Sequence, residues 1–269
     1  MTNQVGYAGG GTGTEDTSNK PSRNVWKGSP FKDIEDGYKG GTAIFEKFEH
    51  GPTAPASTTT TAGHGWRIST GTAATVTTDA AQGGGVILTT GASNVQTAMG
   101  ALSQPFQITS GAKDLWWEAR VEFDLVADNE PSFFIGLGDS TVLSTTKPVD
   151  NDGTVGDLNM VGFLRSELDG DVFDTTYKAN GVAEVVVGAD AVTVVATTAV
   201  KIGMHFDSGT NVLTFYKNGV ALADTKTIPD GGGTDFPADV TLGLIAGGVS
   251  GSGNAGLMTI SWIRACQEV

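Results

Sequence analysis

Cysteine, basic residues and long apolar runs are scarce in this chain of 269 residues. Cys266 is the only cysteine, so no disulfide can form within the chain, and we expect a small buried residue there. No run of about 18 apolar residues occurs, so no membrane-spanning helix is predicted. The first residues show neither a basic region nor an apolar one, so no signal peptide is predicted.

Positive charge is also scarce, since 16 Lys and Arg stand against 30 Asp and Glu, a formal net charge of −14 at pH 7. Nearly all of the acidic excess lies beyond residue 50. An acidic body argues against nucleic acid and anionic membranes as partners, because both attract basic surfaces.

Glycine is abundant instead, at 39 residues, which is about twice the average usage. Threonine, valine and aspartate are also plentiful, a composition that favours strands and turns over long helices. The length permits one large all-β domain or two small ones, and a body of this size can bury an ample core without disulfides.

Residues 201–220 contain the clearest local pattern. Apolar and polar residues alternate from Ile202 to Phe206, the period of a half-buried strand. A second strand follows, and Asn218 with Gly219 gives a strong turn signal because both residues tolerate positive φ. These residues therefore predict two antiparallel strands followed by a tight turn.

Other segments repeat this alternation along the chain. Residues 115–126 predict a strand with Trp117, Ala119, Val121 and Phe123 on one face and Trp116, Glu118, Arg120 and Glu122 on the other. The C-terminal segment sets Met258, Ile260 and Trp262 against Thr259, Ser261 and Ile263. About a dozen short strands separated by turns predict an all-β fold, an antiparallel two-sheet sandwich.

The chain divides into an extended N-terminal arm, residues 1–41, and a sandwich domain, residues 42–269. The arm is too polar to fold alone, yet it carries apolar anchors among lysines, and this favours docking onto a partner. The alternatives are a disordered tail or an arm that lies back on its own domain. The predicted docking residues are Trp26, Lys27, Phe31, Lys32, Ile34 and Tyr38.

Several segments carry a family resemblance. They are residues 45–50, 84–91, 115–123, 133–139, 161–163, 201–207, 212–220 and 260–267. In this order they resemble the concanavalin A-like (laminin G-like) jelly roll, and more narrowly its versions among virion proteins of tailed bacteriophages. The resemblance implies an exposed concave sheet, where sugar-binding members of the superfamily hold their ligand.

The phage setting implies a non-enzymatic head decoration (cement) protein on the capsid surface, made in the host cytoplasm. Its partners would be the major capsid protein and sister subunits in a homotrimer, reached through the arm. The alternative is a lectin-like module of a phage fibre or tail that binds a host-surface glycan. A glycoside hydrolase or lyase is the third hypothesis.

That third hypothesis depends on Glu167, Asp169 and Asp171, which would share one face of an extended strand. Glycosidases pair two carboxylates as acid and nucleophile. Gly170 interrupts the motif, and its surroundings resemble a turn, so a solvated hairpin tip is the competing interpretation. The three histidines show no metal-binding spacing. We therefore predict no enzyme, no catalytic residues and no cofactor.

One polar loop offers oxygen ligands at alternate positions around a glycine, a spacing that suits Ca²⁺. The candidate ligands are Asp150, Asp152 and Asp157. The loop has no bidentate glutamate of the EF-hand kind and no flanking helices, so an Asx-rich turn is the competing interpretation.

Overall fold

The structure is a computed structural model that describes residues 14–49, 65–79, 84–92, 94–140, 143, 147–150, 153–229, 234–250 and 253–269, together with the backbone of residues 61–63. It contains one short helix, α1 (Phe31–Glu35), within the arm, and is otherwise built of strands. No helix in these ranges is long and apolar enough to cross a membrane.

The strands in chain order are β1 (Gly41–Glu46), β2 (Thr61–Gly63), β3 (Trp66–Thr70), β4 (Thr75–Thr78), β5 (Val86–Thr89), β6 (Gln96–Ala101), β7 (Leu115–Phe123), β8 (Ser132–Gly138), β9 (Met160–Arg165), β10 (Val172–Lys178), β11 (Val185–Thr193), β12 (Val200–Asp207), β13 (Val212–Lys217), β14 (Val220–Thr227), β15 (Gly243–Val249) and β16 (Leu257–Glu268).

The strands form two eight-stranded sheets. Sheet A has the order β14-β13-β12-β7-β16-β5-β4, and sheet B has the order β11-β10-β9-β8-β15-β6-β3-β2. β1 also belongs to sheet A, because it pairs with the C-terminal half of β16 while β5 pairs with the N-terminal half. The pairings within both sheets are antiparallel, which confirms the predicted two-sheet jelly-roll sandwich.

The main core lies between the sheets and follows the predicted alternation. In β7 the residues from Trp117 to Phe123 that were predicted to share a face are buried there. Trp117 stacks on Phe163 of sheet B, with ring centroids 6.1 Å apart, and Phe163 meets Phe215 edge-on at 5.6 Å. Aromatic contacts of this kind join the two sheets and add to the free energy of burial.

The turn between β13 and β14 has the backbone that the sequence predicts. Asn218 has a φ of 47° and Gly219 a φ of 79°, and two successive positive values are typical of a tight hairpin turn. The sequence reading missed β14, the strand that this turn introduces.

A β-bulge corrects the predicted faces of the C-terminal strand. The register between β16 and β7 shifts between Ile260 and Trp262. An inserted residue of this kind reverses the alternation beyond it. Ile263 therefore enters the core and Trp262 turns to the outer face of sheet A, where its Nε1 donates to the Asn19 carbonyl oxygen at 2.8 Å.

Residues 14–40 lie across the outer face of sheet A. Trp26 and Phe31 pack edge-on with ring centroids 5.7 Å apart, and they form a second apolar cluster with Trp116 and Cys266 of the sheet. The Arg264 guanidinium carbon lies 4.1 Å from the Trp26 ring centroid and 3.7 Å from that of Phe31. Two of the predicted docking anchors are thus buried within this chain.

Polar groups of sheet A also bind the arm. Glu118, on the outer face of β7, is buried and accepts hydrogen bonds from the Ser22 backbone N–H at 2.9 Å and from Trp26 Nε1 at 2.8 Å. Lys201, buried on β12, donates to the Lys20 carbonyl oxygen at 2.9 Å and lies 3.1 Å from an Asp16 carboxylate oxygen. The arm satisfies polar groups that would otherwise be exposed on the sheet.

Trp26→Ala should therefore lower the free energy of unfolding by about 3–5 kcal/mol, the usual cost of removing a buried aromatic side chain. Tyr38→Ala is the matched control, because Tyr38 lies in the same arm with 83% of its surface exposed, and exposed substitutions usually change stability by less than about 0.5 kcal/mol. Urea unfolding of both variants checks this, and equal effects would contradict the docked arm.

Glu118 supplies a pH test of the same packing. Burial raises the pKa of Glu118, with the Ser22 and Trp26 hydrogen bonds opposing it. Because the folded state holds this proton more tightly than the unfolded chain, the contribution of Glu118 to stability falls as pH rises above about 4.3, the ordinary glutamate value.

Glu118→Gln keeps an acceptor oxygen and removes the charge. The unfolding free energy of the variant minus that of the wild type should grow with pH above about 4.3 and stay level below it. Urea unfolding at a series of pH values measures this difference. A difference independent of pH would show that burial does not raise the pKa of Glu118.

Candidate functional site

The outer face of sheet B is covered over its centre by residues between β8 and β9. Leu143, Val149 and Val155 join the outward-facing Phe134 and Ile245 in an apolar cluster on this face. The glycines of the sheet allow the close approach, since a Cβ on Gly100 would lie 2.5 Å from the Leu143 side chain and one on Gly247 would lie 3.0 Å from Pro148. This packing fills the middle of the sheet.

The arm covers the outer face of sheet A in the same way. The centres of both sheets are therefore occupied, and the open sheet face that the family resemblance implies is not found there in the described part of the chain. Concave surface is found instead beside the arm. Two grooves follow its edges, and they are the candidate binding sites.

The larger groove, here the arm groove, has a volume of about 630 Å³. It lies between arm residues 14–24 and two residues of the sandwich, Gly219 in the turn after β13 and Arg264 of β16, and no aromatic side chain lines it. Glu15 and Asp16 line it from the arm, where they lie near Lys217 and Lys201. Its carboxylates already have partners within the chain.

The smaller groove, here the Phe45 groove, has a volume of about 400 Å³. Sheet A lines it with Phe45 of β1, Arg120 of β7, and Ser261 and Trp262 of β16. The rest of the lining is Asn19, Lys20 and Pro21 of the arm, together with Lys47, Glu49 and Gly84. Aromatic surface and hydrogen-bonding groups thus converge in one concave site.

The Phe45 ring is held in place while remaining accessible. Its edge meets Trp262 at a centroid distance of 6.1 Å and an interplanar angle of 77°. The Lys47 ammonium nitrogen lies 5.5 Å from the Phe45 centroid and the Arg264 guanidinium carbon 5.7 Å from it. Even so, 40% of the Phe45 surface is exposed. Aromatic surface that is both fixed and exposed contributes to binding at little cost in conformational entropy.

The bulge in β16 creates this site, and for that reason the sequence reading missed it. Regular alternation would have placed Trp262 in the core with Met258, whereas the observed register places it beside Phe45. Phe45 faces outward because β1 pairs with β16 in a regular register from Gly41 to Glu46. The one local feature of the sequence that pointed to this site was an aromatic residue, Phe45, at an outward-facing position of β1.

The predicted carboxylates do not form a pair on a strand face. Glu167 and Asp169 lie in the turn between β9 and β10, and Asp171 directly precedes β10. The Glu167 N–H donates to Ser132 Oγ at 2.8 Å, while Asp169 and Asp171 are exposed. The interpretation as a hairpin tip matches this geometry, and the strand-face prediction is wrong because Gly170, with a φ of 31°, turns the chain.

Arg165, next to this tip, is fully buried at the end of β9. Its guanidinium donates to the carbonyl oxygens of Pro131, at 2.6 Å, and Gly170, and lies 5.3 Å from the Phe123 ring centroid. Burial lowers its pKa to about 10, so the side chain remains charged at neutral pH. These bonds hold the hairpin against the sandwich.

The calcium candidates are only partly described. Asp152 lies outside the described residues. Asp157 Oδ1 accepts the Gly181 N–H at 2.7 Å and lies 3.6 Å from Lys178 Nζ, while Asp150 forms a turn with Gly153. Among the described residues, no group of three potential metal ligands comes together. The calcium prediction stays a prediction.

The remaining predicted docking residues are more exposed than Trp26 and Phe31. Ile34 is half-buried and packs on the arm cluster, whereas Lys27, Lys32 and Tyr38 are exposed. Lys32 lies 2.7 Å from an Asp36 carboxylate oxygen. The arm thus presents polar and aromatic surface outward, and docking onto a partner stays a prediction.

The Cys266 thiol and the Tyr177 hydroxyl, two further reactive groups, lie in packed parts of the sandwich. Cys266 is buried, and burial raises the pKa of its thiol to about 11, so it stays protonated. Tyr177 is buried on β10, where its hydroxyl contacts Asp235 at 2.8 Å and accepts a hydrogen bond from Lys226 of β14. Burial raises the Tyr177 pKa. This contact links β10 of sheet B to β14, the edge strand of sheet A.

The sequence matches no known protein family and no curated protein. Solved structures are similar in fold. The apo Crh5 transglycosylase has a TM-score of 0.53 at 16% identity, covering 86% of this chain and 87% of that one. A glycoside hydrolase family protein (Rv0315 ortholog) from Mycobacterium thermorestibile has a TM-score of 0.52 at 14% identity, covering 82% of this chain and 99% of that one. The metal-free Emp46p carbohydrate recognition domain has a TM-score of 0.50 at 10% identity, covering 75% of this chain and 87% of that one.

These similarities correct one prediction. The sequence was taken to exclude an enzyme, and that inference is contradicted, because proteins of the same fold include a transglycosylase and a glycoside hydrolase. A missing catalytic motif in the sequence therefore does not exclude enzymatic activity. At these identities the comparisons concern the fold, and the chain has the concanavalin A-like jelly-roll sandwich fold.

Proposed function

We propose that this chain binds carbohydrate in the Phe45 groove. The observation that carries the proposal is the exposed Phe45 ring, fixed edge-on against Trp262, at the side of a groove lined by polar and charged side chains. Saccharides present apolar ring faces together with many hydroxyls, so an aromatic surface beside hydrogen-bonding groups is complementary to them.

The size of the groove fits this role. Its volume of about 400 Å³ lies in the usual range for small-molecule sites, about 300–1,000 Å³. Asn19, Arg120 and Ser261 supply donors and acceptors around the aromatic surface. Crh5, solved in a second structure in complex with NAG, has the same fold at a TM-score of 0.52 and 16% identity. That likeness of fold supports carbohydrate as the class of ligand without locating the site.

The arm supplies one wall of the proposed site. Asn19 accepts a hydrogen bond from Trp262 Nε1 through its carbonyl oxygen, at 2.8 Å, and the next two residues, Lys20 and Pro21, continue that wall. The contacts that fix the arm on sheet A, above all those of Glu118, therefore also shape the groove. Rigid walls reduce the entropy lost on binding.

A glycan array probed with the full chain tests the proposal, followed by titration calorimetry on any glycan retained. Phe45→Ala should weaken binding at least about tenfold, since a well-packed aromatic contact is worth more than about 1.4 kcal/mol. Leu125→Ala is the matched control, because Leu125 is 42% exposed and lies outside the groove. Absence of any glycan binding, or equal effects of the two variants, would contradict the proposal.

We propose a second candidate, the virion decoration role suggested by the family resemblance. The observation that favours it is Tyr38, 83% exposed on the docked arm with Lys32 and Lys39 nearby in the sequence. An exposed aromatic among lysines suits a protein surface, because aromatic side chains are enriched at interfaces. In this proposal the major capsid protein and sister subunits of a homotrimer contact the outside of the arm, on the capsid surface.

Rebinding to particles stripped of this protein tests the second candidate. Tyr38→Ala should weaken rebinding about tenfold or more if Tyr38 is a central interface residue. Leu168→Ala, 71% exposed at the hairpin tip far along the chain, is the control. Full rebinding of the Tyr38 variant would contradict this role for the arm.

A further inference from the structure

The Phe45 groove has a charge opposite to that of the whole chain. Three cationic side chains line it, Lys20, Lys47 and Arg120, against one carboxylate, Glu49. The chain as a whole has a net charge of −14. A positive recess in an acidic protein concentrates anions locally while the rest of the surface repels them.

We propose that the Phe45 groove is selective for an acidic saccharide, a chain that contains hexuronate residues. This inference rests on the proposed carbohydrate-binding function and adds the charge of the ligand to it. The Phe45 ring contacts the apolar face of a sugar, and the cations bind the carboxylate groups. A neutral sugar of the same shape would leave the positive charges of the groove uncompensated.

Arg120 is the residue best placed to recognise a carboxylate. It is half-buried on the outer face of β7, and its Nη1 donates to Ser261 Oγ at 2.8 Å. That bond uses one of the five N–H groups of the guanidinium and fixes its orientation. An oriented guanidinium binds a carboxylate through two parallel hydrogen bonds, which a neutral hydroxymethyl group cannot accept in the same way.

The two lysines come from different parts of the chain. Lys47 follows β1, beside the Phe45 ring, and Lys20 belongs to the arm; both side chains are exposed. Two ammonium groups on flexible side chains attract the carboxylates of a uronate chain without demanding one fixed geometry. Exposed charges of this kind raise association rates and make binding sensitive to salt.

The test uses a panel of uronate-containing polysaccharides, each compared with its own carboxyl-reduced form, in which the carboxylates are converted to alcohols. Titration of the full chain should show at least about tenfold tighter binding of the acidic form, because a hydrogen bond to a charged group is stronger than one to a neutral group. Raising NaCl from about 50 to 500 mM should weaken binding of the acidic form only.

Two variants assign the effect to the groove. Lys47→Gln and Arg120→Gln should each weaken binding of the acidic form more than binding of the reduced form, whereas Phe45→Ala should weaken both forms to the same extent. Lys113→Gln is the matched control, since it removes one exposed positive charge outside the groove. Because Lys47 is exposed, its substitution tests the inference even if Arg120→Gln fails to fold.

The outcomes separate the two proposals. Equal affinity for acidic and reduced forms, with Phe45→Ala still weakening both, would overturn the selectivity for acid and leave carbohydrate binding intact. No binding of either form, together with an empty glycan array, would overturn both. Loss of acid preference in Lys113→Gln as large as in Lys47→Gln would show a general charge effect and overturn the assignment to this groove.

Discussion

The buried carboxylate of Glu118 imposes a constraint on which much of this structure depends. A carboxylate on the outer face of a central strand must either remain in water or find hydrogen-bond donors, because an unsatisfied buried charge is very costly. The Ser22 N–H and the Trp26 indole supply those donors. They fix the arm across sheet A, and Trp26 and Phe31 then enclose the side chains that the sheet presents outward.

The centres of both sheets are covered, and the two grooves lie beside the arm. The arm closes sheet A, and the segment between β8 and β9 closes the centre of sheet B. The arm contacts Trp262 through the Asn19 carbonyl oxygen, and the Phe45 groove lies beside this contact. The same burial that stabilises the arm therefore gives the groove its wall, which links stability to the proposed function.

The sequence could predict whatever depends on local pattern. Alternation in β7 identified the core face, and Asn218-Gly219 identified the turn, because both are dictated by neighbouring residues. The bulge beside Trp262 could not be predicted, since it depends on register against β7. The position of the arm on sheet A could not be predicted from local pattern either, because Trp26 and Glu118, which hold it there, are 92 positions apart. The groove combines both of these non-local features, and so sequence reasoning placed the candidate sites elsewhere.

Hydrogen exchange of the arm amides in the full chain tests the central claim most directly. The backbone N–H of Ser22 donates to Glu118, and that of Trp26 donates to the Ser22 carbonyl oxygen. If the arm is part of the folded body, both amides should exchange far more slowly than in an unstructured peptide. Their protection should approach that of β7. Exchange of both amides at the rate of a free peptide would contradict the docked arm and the groove wall that it forms.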